Sequence, residues 1–172
     1  MKMLVLNLQK YLALRLNLVI YILGYAIPFI IARPQFLTGT IVNALIFTAS
    51  EKLDRKSLYP ILFLPSLGAI THGVLFDPQT IFLVYFLPFI WLGNYLQAGV
   101  FSLARQQKYT LRVFASALSK YFLLFIAANI YYQLHIVPKM FVTSMGMIQL
   151  VTTCTGGFLS YFIIKTLRKE VR

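Results

Sequence analysis

Apolar runs fill this chain almost from end to end. Only brief clusters of charge or proline interrupt them, at Arg33-Pro34, Glu51 to Lys56, Asp77-Pro78, Arg105 to Lys108 and Val137-Pro138-Lys139. A chain patterned this way has too little polar surface to fold in water. Its 172 residues are 59% hydrophobic and 12% charged, with a mean hydropathy of +0.77, so an ordinary soluble domain is excluded. The expected fold is an all-α integral membrane protein, a single six-helix bundle over 1–172. Its helices are expected at about 12–32, 36–50, 57–76, 79–103, 111–136 and 140–167.

The second of these is the unusual one. A crossing helix takes about 20 residues, yet the apolar run here extends only from Phe36 to Ser50 before Glu51 begins the most charged loop of the chain. It also carries Gln35, Thr38, Thr40 and Asn43 around Gly39. Amides and hydroxyls at membrane depth need partners, so this short helix is expected to face protein, water or a ligand, with the other helices around it.

The net charge of +12 belongs to membrane topology rather than to nucleic acid. Of 16 basic residues, 13 fall at the amino terminus, in the second-to-third and fourth-to-fifth loops or near the carboxyl terminus. Arg33 and Lys139 stand on the other side, and Lys120 lies within the fifth helix. The positive-inside rule then places both termini in the cytoplasm of a multi-pass cell-membrane protein. The first apolar run has no small-residue cleavage pattern and reads as a retained helix. Cys154 is the one cysteine, which leaves no intramolecular disulfide and no paired thiol ligands. HExxH, GxxxxGK[ST] and GxSxG are absent, and all four acids fall in loops or the tail, so proton-relay and metalloprotease chemistry have little to work with.

In that orientation most uncharged hydrogen-bonding side chains collect in the outer half. Gln35 and Thr38 enter from outside, and Asn43 lies about 12 Å further along the helix axis. His72 is near the outer end of the third helix, Asn129 and Gln133 share a face of the fifth, and Gln149 sits mid-way along the sixth with Thr152 and Thr153. Asn94 and Gln97 lie deeper. A neutral polar pocket opening outward accounts for these residues, with Gln35, Thr38, Asn43, His72, Asn129, Gln133 and Gln149 as substrate-binding groups. Trp91, Tyr131, Tyr132 and neighbouring phenylalanines are expected as flat apolar walls. Plainer readings stand beside it. Asn43 and Asn94 also suit hydrogen bonds between helices, His72 suits a packed histidine, and Tyr131-Tyr132 suits an aromatic belt. The spacings Ala69/Gly73 and Thr152/Gly156 permit close helix packing.

The runs Gln35 to Ala44, Leu64-Pro65-Ser66-Leu67-Gly68-Ala69 and Leu87-Pro88-Phe89-Ile90-Trp91-Leu92-Gly93-Asn94 carry a family likeness. Over about Gln35 to Val100 the chain resembles the substrate-binding (S) components of energy-coupling factor transporters and their bacterial relatives. The resemblance implies a non-enzymatic subunit for uptake of a vitamin-like small molecule, without a cofactor. Such a subunit docks on a transmembrane coupling protein driven by two cytoplasmic ATPases. It also implies that Arg33 to Thr38 forms part of a cover over the pocket, although this loop is short. The chain departs from the family in two places. Ala13 is followed four residues later by Asn17 rather than alanine, and Lys2 follows Met1 where metal-transporting members have histidine, so metal transport is not expected. Two other functions remain open on the residues alone: a helical scaffold whose amides are interhelical glue, and a lipid-modifying enzyme with His72 as base. The second lacks an acidic partner or a nucleophile.

Overall fold

The computed structural model describes residues 2–31, 33–76 and 82–169, with side chains from 14 to 75 and from 82 to 167 apart from residue 32. The chain is all-α: α1 (Lys2–Ile30), α2 (Gln35–Lys52), α3 (Arg55–Phe76), α4 (Leu83–Leu103), α5 (Tyr109–Gln133), α6 (Met140–Met145) and α7 (Met147–Lys169). Among the described residues, four segments are long and apolar enough to cross a membrane: Arg55–Leu75, Leu83–Leu103, Tyr109–Gln133 and Met140–Leu167. Leu14–Ile30 is a shorter apolar helix. This is a multi-pass membrane protein. Its outer faces agree: Phe114, Leu118, Phe122, Ile126 and Ile130 recur every fourth residue of α5 and are all exposed, a stripe suited to lipid and not to water.

Several helix boundaries differ from the sequence reading, and three of the differences have a local reason. The sixth expected helix, 140–167, is broken at Gly146 (φ −96, ψ −106) into α6 and α7. A side chain at Gly146 would meet Val142 O at 2.7 Å and the Phe125 ring at 2.8 Å, so glycine lets the break pack against α5. The fifth helix stops at Gln133 rather than 136. His135 takes a left-handed conformation (φ 57) and donates its N–H to Tyr132 O, while Ile136 N–H reaches Tyr131 O. These two bonds are the Schellman closure of a helix end. The third helix starts at Arg55, two residues early, because Asp54 caps it: Ser57 N donates to Asp54 Oδ2 at 3.3 Å. The first helix begins at Lys2 instead of 12, and the start of the fourth, expected at 79, lies outside the described residues.

α2 occupies the centre. Every residue from Asn43 to Ser50 is buried, which means that the helix is enclosed on all sides over its second half. It packs chiefly on α7 and also meets α1, α3 and α4. Gly156 makes the α2–α7 approach possible, since a Cβ there would lie 2.7 Å from both Asn43 Cβ and Thr40 O. Thr40 Oγ1 and Thr155 Oγ1 then meet across the seam at 3.0 Å. Apolar packing fills the rest of the bundle. Ile20, Leu45, Ile46, Ala49, Ile61, Leu62 and Ala98 form one core cluster, and Phe86, Leu124, Ala128, Val137, Phe141 and Met145 form another.

Candidate functional site

α2 lays one of its faces along a cavity of about 740 Å³. Gln35, Thr38, Gly39, Val42 and Asn43 recur at the three- and four-residue steps that put side chains on a single helix face, and all of them line it. Pro28 of α1, Ser66 and Ala69 of α3, Ile90 and Asn94 of α4, Lys120 and Leu124 of α5, Met145 of α6 and Gln149 of α7 complete the walls. The exposed residues Arg33, Pro34 and Met140 mark its mouth, at the end of the bundle where α1 turns into α2. There Arg33–Pro34 is a cis peptide, and the Thr38 hydroxyl ties α2 back to Ile31 O.

The inner end is built on Lys120. The residue is 4% exposed, and its ammonium donates to Asn43 Oδ1 at 2.8 Å, Asn94 Oδ1 at 2.8 Å and Gln97 Oε1 at 3.0 Å. An ammonium has three donors and no acceptor, so the three amides must turn their oxygens inward. Their NH2 groups point away. Asn43 Nδ2 donates to Gly39 O at 2.8 Å and reaches Thr152 Oγ1 at 3.4 Å, and Asn94 Nδ2 donates to Leu62 O at 2.8 Å. Gln97 Nε2 is buried with no hydrogen-bond partner among the described residues. Asn94 and Gln97 stand three apart on α4 and so share the face toward α5. One lysine thereby links α5 to α2 and α4.

Among the described residues, no acidic side chain lines this cavity. Of the two acids described, Glu51 pairs with Arg112 at 2.9 Å and Asp54 caps α3 in the α2–α3 connection. Three neutral dipoles solvate the Lys120 charge without cancelling it, and Arg33 adds a second cation at the mouth. The neutral pocket expected from the sequence therefore has a cationic floor. The described residues hold no group of three or more His, Cys, Asp or Glu side chains placed to bind a metal ion.

Four of the seven residues expected as substrate contacts, Gln35, Thr38, Asn43 and Gln149, line the cavity together. The other three do not. His72 turns its Nδ1 to Phe29 O at 2.7 Å, joining α3 to α1. Asn129 Nδ2 donates to Phe125 O at 2.8 Å within its own helix, and Gln133 is exposed at the end of α5. Trp91, Tyr131 and Tyr132, expected as aromatic walls, are not in the lining either. Trp91 donates Nε1–H to Ser66 Oγ at 2.7 Å and packs on Phe63, while Tyr131 packs on Phe86 and Phe89. Tyr132 is exposed. The apolar lining comes instead from Val42, Ile90, Leu124, Phe141 and Met145. The residues that sequence reasoning passed over are Lys120 and its Asn94–Gln97 partners. A lysine inside a long apolar run, with amides three apart on the preceding helix, was the available signal.

No protein-family model, curated protein or solved structure matches this chain.

Proposed function

We propose that this chain is a membrane-embedded capture subunit for a small molecule, working in the manner of the substrate-binding components of energy-coupling factor importers. The observation that carries the reading is the cavity. Its volume of about 740 Å³ falls within the range of small-molecule sites, which run to about 300–1,000 Å³. Its lining has the usual composition of such sites, mostly apolar with a few converging polar groups. With both termini in the cytoplasm, as the basic residues imply, the mouth at Arg33 to Gln35 opens outward. In this reading the chain performs no chemistry. Import would need a transmembrane coupling partner and its two ATPases, and specificity would rest on Gln35, Thr38, Asn43 and Gln149.

A scaffold is the second reading, and one observation favours it: all three Lys120 donors already find protein acceptors. Mass spectrometry of the protein purified in mild detergent separates the two. A co-purified small molecule, lost in Asn43→Leu, supports capture. A folded protein that carries nothing and gains no thermal stability across a vitamin panel returns the polar core to a scaffold.

A further inference from the structure

We propose that the cavity takes an organic anion, with a carboxylate seated against the Lys120 ammonium and an apolar body along α2. The proposal rests on the capture reading and names the class of ligand for it.

The charge balance is the first argument. Lys120 is buried at membrane depth, it lines the cavity, and among the described residues no carboxylate lines the cavity with it. Hydrogen bonds from neutral amides lower the cost of such a charge but leave it net positive, and a ligand of opposite charge is what removes it. A cationic ligand would meet like charge from Lys120 at the inner end of the site.

The geometry is the second. Asn43 and Asn94 line the cavity, whereas Gln97 is fully buried and is not part of the lining. An incoming carboxylate therefore meets the ammonium from the Asn43–Asn94 side, and Gln97 stays as the back wall. Asn43 is the acceptor to be replaced. It comes from the face of α2 that lines the cavity, and rotation of its amide exchanges an oxygen on Lys120 for an N–H on the carboxylate. Beyond that head, Val42, Ile90, Leu124 and Met145 offer apolar contact.

The test uses matched acid and amide pairs, benzoate with benzamide, nicotinate with nicotinamide and biotin with biotinamide. Each is titrated into detergent-purified protein at fixed ionic strength while thermal unfolding is followed. The expected result is a saturable rise in Tm with at least one acid, and a response to its amide about 10- to 100-fold weaker. Lys120→Gln should abolish the rise and Lys120→Arg should keep part of it. Should Lys120→Gln fail to fold, the acid and amide comparison on the unaltered chain decides alone. Equal responses to acid and amide, a full response in Lys120→Gln, or no response to any acid overturns the proposal. A co-purified neutral molecule would sink the anion and leave capture standing. Protein that carries nothing and responds to none of the six compounds sinks both.

Discussion

Arg112 Nη2 lies 2.9 Å from Glu51 Oε2, joining the first turn of α5 to the last turn of α2. The guanidinium is nearly enclosed. Its Nε donates to Phe101 O at 3.0 Å, and its Cζ lies 3.8 Å from the centre of the Phe101 ring. Removing either partner strands the other in a site that water barely reaches. Glu51→Gln and Arg112→Met should each lower stability by about 3 kcal/mol, and Glu51→Leu combined with Arg112→Met should recover most of that loss. Unfolding in detergent, read by circular dichroism, checks this. Additive losses in the double variant would mean that the pair is not coupled.

Gly156 sets the distance between α2 and α7. Gly156→Val pushes a branched side chain against Asn43 Cβ and Thr40 O, and should cost about 1–3 kcal/mol through overpacking. Gly99, whose added Cβ meets nothing within 4 Å, is the control: Gly99→Ala should be neutral or slightly stabilising in the same melt.

Asn94 and Asn129 are both asparagines in apolar helices, and they should behave differently. Asn94→Leu leaves one Lys120 proton and the Leu62 carbonyl contact unmet, for a loss of about 2–4 kcal/mol. Asn129→Leu gives up only a bond to its own helix and should stay within about 0.5 kcal/mol of the parent. Similar losses at the two positions would contradict the cage around Lys120.

Asp54 supplies a pH dependence. Hydrogen bonds from the Ser57 side chain and backbone hold its carboxyl below the ordinary 3.8. A carboxylate whose pKa is depressed on folding stabilises above its unfolded value, and that stability disappears as pH falls through the folded value. Asp54→Ala should therefore melt earlier than the parent at neutral pH. The gap should close as the pH drops below 3.8. A gap unchanged at pH 3 would assign the effect to something other than the ionised cap.

The bundle was legible from the sequence because apolar run length and basic-residue clusters report directly on membrane spans. The central place of α2 was legible too, from its short length and from Asn43. The break at Gly146 was not, since Met140 to Leu167 is apolar enough on average to read as one span and the Phe125 ring that Gly146 packs against lies on another helix. At the site, depth along a helix was readable but rotation about its axis was not. Gln35, Thr38 and Asn43 were found because they share the one face of α2 that lines the cavity. Asn129 and Gln133 sit at a suitable height on α5, but away from the cavity. Lys120 was hidden by its sign, because the pattern of neutral amides suggested a neutral pocket until the three oxygens were seen to converge on one ammonium.

The seam between α2 and α7 also bears on how the protein is made. α2 leaves the ribosome early, too short and too polar to rest in lipid on its own. The helix that offers Thr152, Thr155 and Gly156 to it is synthesised after every other helix described here. Asn43 and Thr40 must therefore wait through the synthesis of α3, α4 and α5 without their partners. The native arrangement of this protein closes from the inside, and it closes last.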